Sequence, residues 1–336
     1  MGVRTKSKTI YIFSSGELRR KDNTIYFESE NGKKYIPVES TSEIMIFGEV
    51  DVNKRFLEFL TQAEIILHFF NRYEYYVGTY YPREHLNSGY MIINQAQHYF
   101  DKDKRVLLAR KFIEGACKNL KQVLSYYYRR GNKELADSIS KIEEFSFKLY
   151  KCSDIDELMA LEGNVRLHYY PEFDIILKNP DFVFEIRTKR PPQNYLNALI
   201  SFGNSLLYSV VLSEIYKTHL DPRIGFLHAS NFRRFSLNLD AAEVFKPIII
   251  DRLILTLIAK KMITKESFDG SAAGLVLKES AMQLFVKQLE EKLATTVKYP
   301  SLGRHVSYRR LIRLELYKIQ KHLMGESEYM PFEAKW

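Results

Sequence analysis

Apolar residues change their spacing once along this 336-residue chain, near Tyr80, and that change decides which folds are open to it. Between residues 9 and 80 they come in runs of strand length, at 10–13, 24–27, 35–38, 43–47, 65–70 and 75–80. Turn-forming pairs punctuate them: Ser15-Gly16, Asp22-Asn23 and Asn31-Gly32, the last being the strongest hairpin signal in the chain. One stretch, 53–62, has helical spacing. After Tyr81-Pro82, segments 104–129, 133–150 and 247–262 repeat apolar residues three and four apart, the period of amphipathic helices. The pattern predicts an α+β protein: a β-rich, sandwich-like domain over residues 1–80, a linker over 81–92 and a larger α-helical domain over 93–336.

Charge follows the same division. Of 50 Lys and Arg against 41 Asp and Glu, residues 1–80 hold 11 of each sign, so the whole net charge of +9 lies in the helical part. An excess of that kind suits an anionic partner, a nucleic acid or an acidic membrane surface. No continuous apolar run approaches the roughly 20 residues of a spanning helix, and residues 1–13 hold no signal-peptide core, so a cytoplasmic protein without an amphipathic membrane anchor is expected. Cys117 and Cys152 stand apart from any Cys/His cluster, which argues against a disulfide framework or structural zinc. Proline-rich 178–193 reads as a basic loop around Arg187-Thr188-Lys189-Arg190. Residues 298–322, with seven Lys or Arg and one acid, read as the densest basic helix, with Arg309 and Arg313 one turn apart and available to phosphate.

Phosphate-loop, dinucleotide, serine-hydrolase and His-Glu-x-x-His signatures are all missing from the sequence. What remains is three acids and an imidazole in unusual settings. Glu162 extends the apolar face of Leu158-Met159-Ala160-Leu161, where a carboxylate needs a cation or strong donor nearby. His228 closes the apolar Gly225-Phe226-Leu227. Asp240 and Glu243, three apart, share a helix face just before Pro247, which should kink or restart that helix. One imidazole with two or three carboxylates is a hard donor set suited to Mg²⁺ or Mn²⁺ in a phosphoryl-transfer site.

The phrases Leu161-Glu162-Gly163-Asn164, Arg190-Pro191-Pro192, Asn197-Ala198-Leu199, Ser201-Phe202-Gly203, Gly225-Phe226-Leu227-His228 and Phe235-Ser236-Leu237-Asn238-Leu239-Asp240-Ala241-Ala242-Glu243-Val244-Phe245-Lys246-Pro247 resemble, in order and approximate spacing, the CRISPR-associated spacer integrases of the Cas1 family. The N-terminal Ile36-Pro37-Val38-Glu39 and the tail Glu328-Tyr329-Met330-Pro331-Phe332 extend the likeness over nearly the whole chain. The resemblance implies a dimerising β-rich domain and a helical domain that binds a divalent metal through Glu162, His228 and Glu243, with Asp240 as a further acid of the catalytic site. It also implies metal-dependent transesterification, in which the 3′-hydroxyl ends of a short captured duplex are joined to the CRISPR repeat. Arg187, Lys189, Arg190, Arg233, Arg234 and Lys246 are the candidate phosphate contacts. Expected partners are DNA, a second copy of the chain and the small Cas2 protein. Two rival readings use the same residues: a structure-selective metallonuclease acting on branched or single-stranded DNA, and a non-catalytic DNA-binding scaffold.

Overall fold

In a computed structural model, residues 8–83, 86, 88–228, 235–271, 274–299 and 302–335 are described. The chain divides into two compact units, Met1–His85 and Leu86–Trp336. The first is built from β1 (Lys8–Ile12), β2 (Gly16–Lys21), β3 (Thr24–Ser29), β4 (Gly32–Ile36), β5 (Thr41–Ile46), β6 (Val50–Val52), α1 (Lys54–Gln62), β7 (Ile66–Phe70) and β8 (Tyr76–Tyr80). Two four-stranded sheets result, ordered β1-β5-β7-β8 and β4-β3-β2-β6. The first is parallel from β1 to β7 and antiparallel at β8. Ile10, Ile44 and Leu67 from that sheet share one apolar core with Leu18, Ile25 and Ile36 from the other and with Phe56, Phe59 and Leu60 of α1.

The turn signals act as their chemistry dictates. Asp22 takes φ 52° in the two-residue β2–β3 hairpin, where Lys21 pairs Thr24, and Gly32 takes φ 121° where β4 begins opposite Ser29. Asn53 caps α1, its side chain accepting from Phe56 N at 3.0 Å. Periodicity overlooks β2 because its sequence, GELRRK, buries a single residue, Leu18.

The second unit is mostly helical: α2 (Gly89–Phe100), α3 (Lys102–Arg129), α4 (Ala136–Lys148), α5 (Ile155–Tyr169), α6 (Glu172–Leu177), α7 (Tyr195–Ile215), α8 (Leu237–Lys246), α9 (Arg252–Ala259), α10 (Glu279–Ala294) and α11 (Tyr308–Leu323). Two short hairpins interrupt them, β9 (Phe268–Ser271) with β10 (Gly274–Leu277), and β11 (Thr296–Tyr299) with β12 (Arg304–Ser307). Helix α2 takes up residues 89–92, which the sequence assigned to a linker. Helix α7 is long and apolar enough to cross a membrane by composition, although no single run announces it, because Asn197, Ser201, Asn204, Ser205 and Ser209 interrupt the sequence. Its apolar window is 83% buried within the unit, the signature of a core helix.

Two expectations change. Residues 298–322 are not one basic helix, since β11 and β12 occupy the first part. Arg309 and Arg313 on α11 point not at solvent but at acids, Arg309 donating to Glu290 at 2.9 Å and Arg313 to Glu214 at 2.6 Å. At Pro247, where a kink or restart was expected, the chain widens into a π-helical turn, Pro247–Asp251, and resumes as α9. The wider turn relieves the proline ring's clash with the carbonyl one turn back, and Arg252 N reaches back to Pro247 O.

Candidate functional site

Asp240, in the first turn of α8, organises the site. Its Oδ2 accepts the backbone N–H groups of Phe226 (2.5 Å) and Leu227 (3.0 Å), while its Oδ1 accepts His228 N (2.9 Å) and His228 Nδ1 (2.8 Å). Gly225 donates to Ser236 Oγ at 2.8 Å. The approach is so close that a Cβ on Gly225 would sit 2.8 Å from Asp240 Oδ2 and 2.9 Å from the Ser236 Cβ. Four donors on one fully buried carboxylate hold the 225–228 segment and fix the imidazole with Nδ1–H toward Asp240. The other ring nitrogen, Nε2, faces Glu243 Oε1 at 4.0 Å. Burial pulls the His228 pKa down, but the hydrogen bond and charge of Asp240 outweigh it and leave the value raised.

Glu243 follows Asp240 by three residues on the same buried face of α8. Its Oε2 accepts Arg166 Nη2 at 2.7 Å, and its Oε1 accepts the Lys246 ammonium. Burial alone would raise its pKa; Lys246 and Arg166 overcome that and hold it well below the carboxylate range. Arg166 also donates through Nε to Glu162 Oε1 at 2.9 Å, one turn back on α5. A single guanidinium therefore bridges Glu162 and Glu243. The acids and imidazole singled out in the sequence converge, although Glu162 and His228 lie far apart in the chain.

Among the described residues, no three His, Cys, Asp or Glu side chains are arranged as a ready-made cation cage. The physical reason is local: Arg166 and Lys246 provide the positive charge that the two glutamates require. Arg166 escaped the sequence reading, yet its signal was present, because Glu162 at the end of an apolar face needed a cation and Arg166 follows it at i+4. Asp251 and Tyr169, both fully buried beside Arg166, carried no signal. Burial is the main cause that raises the Asp251 pKa to about 6, with Arg166 opposing it.

Of the candidate phosphate contacts, Arg187 is tied to α7, donating to Asn197 Oδ1 at 3.0 Å and Ser201 Oγ at 3.1 Å. Lys246 is buried on Glu243 and lies 4.9 Å from the Tyr208 ring centre. Lys189 and Arg190 are exposed on the loop before α7. Arg233 and Arg234 lie outside the described residues. Beside His228 opens a cleft of about 520 Å³, with Tyr99, Phe100, Lys102, Arg105 and Met159 on its walls.

A β-rich unit is thus followed by a helical unit in which acids and an imidazole from distant parts of the chain meet at one point. The chain belongs to the Cas1 family: the family described as CRISPR associated protein Cas1 matches residues 10–291. A protein of Thermodesulfovibrio yellowstonii named CRISPR-associated endonuclease Cas1 2 is 61% identical over 329 residues, 98% of this chain and 99% of its own. The solved structure of a Cas1 protein from Thermotoga maritima is 48% identical and superposes with a TM-score of 0.87 over 98% of this chain and all of that one (100%). Fold alone is shared with a casposase bound to its integration product (20% identical, TM-score 0.86, covering 98% of this chain and 95% of that one). The same holds for a Cas6-RT-Cas1–Cas2 complex (16% identical, TM-score 0.88), where all of this chain (100%) matches 37% of the other.

Proposed function

We propose that this chain is a metal-dependent DNA integrase and endonuclease of CRISPR adaptation, joining the 3′-hydroxyl ends of short captured DNA to the CRISPR repeat by transesterification. The observation that carries the reading is the pairing of His228 with Asp240. With Nδ1 committed as a donor, Nε2 keeps its lone pair and faces Glu243, whose partner across Arg166 is Glu162. An oriented imidazole and two carboxylates are the hard nitrogen and oxygen donors that Mg²⁺ or Mn²⁺ accepts, and a carboxylate behind a ligating histidine is the usual way to fix its ring. Glu162, His228 and Glu243 would hold the ion, which supplies Lewis acidity at the phosphorus centre and lowers the pKa of the hydroxyl nucleophile.

The remaining work falls to the chain's own groups. Asp240 keeps His228 in its donor tautomer. Lys246, packed on Glu243, places positive charge where phosphate charge builds up. Lys189 and Arg190 on the exposed loop, with Arg187 behind them and Arg233 and Arg234 after His228, are the proposed phosphate contacts. One phosphodiester replaces another, so no nucleotide hydrolysis is needed. With water in place of the 3′-hydroxyl the same residues cleave DNA, in keeping with the endonuclease name of its relative. The proposed partners are DNA, Cas2 and a second copy of the chain paired through the β-rich unit over residues 1–80, in the cytoplasm.

The test is strand transfer into a repeat-bearing plasmid, with a short duplex carrying free 3′-hydroxyls, Mn²⁺ or Mg²⁺ and Cas2. Joined product that requires metal and disappears in Glu162→Ala is the expected result. Cleavage without joining points to a structure-selective metallonuclease, and equal behaviour of variant and native chain to a DNA-binding scaffold.

A further inference from the structure

Around Arg166 the interior holds three polar groups without a close hydrogen-bond partner. They are Arg166 Nη1, the Tyr169 hydroxyl oxygen and both carboxylate oxygens of Asp251. Asp251 and Tyr169 are fully buried, and the Arg166 side chain is 12% exposed. All three groups interact electrostatically with one another, and Arg166 is the strongest favourable charge on Asp251. A buried carboxylate set against only a tyrosine hydroxyl and the charge of one guanidinium is a costly occupant, and an amide or apolar residue of the same size would fill the space more cheaply. Asp251 owes its position to the π-helical turn Pro247–Asp251, the one wide turn among the described helices; such turns recur at functional sites.

Arg166 thus lies in the field of three acids. Its Nε and Nη2 bridge Glu162 and Glu243, while Nη1 has no hydrogen-bond acceptor and Asp251 attracts the guanidinium by charge alone. A divalent ion held by Glu162 and Glu243 would compete with the guanidinium for the same oxygens, and a displaced buried guanidinium needs another acceptor. We propose that Asp251, with the Tyr169 hydroxyl beside it, is a second seat for the Arg166 guanidinium, so that Arg166 spans Glu162 and Glu243 in the cation-free chain and turns to Asp251 when a divalent cation takes those carboxylates. This rests on the metal site proposed above. Asp251 is a positioning residue here: it acts through Arg166 and touches neither cation nor DNA.

The inference separates two properties that a merely structural aspartate would lose together. In Asp251→Asn the second seat is neutral, so Mn²⁺ must displace Arg166 without a charged acceptor; affinity measured by calorimetry should fall about tenfold, in the range of changes to groups behind metal ligands. The cation-free variant, relieved of an unpaired buried charge, should melt no lower than the native chain. Unchanged Mn²⁺ affinity, or a melting temperature that falls along with affinity, would overturn the proposal. A measurement on the native chain needs no variant: crystals grown with Mn²⁺ should have Arg166 Nη1 hydrogen-bonded to Asp251, and a guanidinium still spanning Glu162 and Glu243 beside a bound ion sinks it. A native chain that binds no Mn²⁺ refutes the metal site itself, a result separate from tight binding that ignores Asp251.

Discussion

At the scale of single residues, Asp240 matters more than its place in an i,i+3 pair of acids suggests. It was read as one of two carboxylates on a helix face, and that much was legible from spacing. Its four donors were not, because they come from backbone N–H groups and an imidazole brought in from 226–228, across a connection no periodicity describes. Asp240→Asn keeps the shape but replaces a charged acceptor and puts an amide against converging N–H groups. It should cost about 2–3 kcal/mol in urea denaturation and reduce strand transfer far more than the folded population falls. A variant with native stability and native activity would contradict this role. Glu162 was legible as an acid in need of a cation. Which cation, and that the same one also serves Glu243, was a matter of tertiary packing.

At the scale of elements, hydrophobic period located α1 and α3 to within two residues at each end, since long amphipathic stretches carry the strongest signal. It missed β2, whose only buried residue is Leu18, and it merged β11, β12 and α11 into one basic helix because charge was weighed above the turn at Gly303, where φ is 62°. The misread arginine has a structural task. Glu214 near the end of α7 is fully buried; burial pushes its pKa up, but Lys217 at 2.8 Å and Arg313 of α11 at 2.6 Å more than reverse that and leave it lowered. A carboxylate whose folded pKa lies below its unfolded value adds stability above that unfolded value, and the contribution fades as pH drops through the folded one. Glu214→Gln should therefore cost about 3 kcal/mol at neutral pH, and the gap to the native chain should narrow below the ordinary value of 4.5. Unfolding free energies of both chains at pH 7 and pH 3.5 check it; a gap that does not change with pH would show that Glu214 is not held ionised by α11.

At the scale of the whole molecule, the change of period near Tyr80 marked an N-terminal β-rich part and a helical remainder, and the fold class followed from it together with the likeness to Cas1 proteins. The net charge of +9 pointed to an anionic partner without choosing one. What composition could not supply was the convergence of α5, α8 and the segment before it, which depends on Gly225 having no side chain and on a proline that widens a helix instead of ending it. The account stands or falls on whether those elements gather a divalent cation. Calorimetric titration of the native chain with Mn²⁺ should give one site per chain, with Glu162→Gln and Glu243→Gln each abolishing the heat while keeping the native circular dichroism. Absence of binding by the native chain, or binding that both variants retain, would contradict it and leave Glu162, His228 and Glu243 as scaffold.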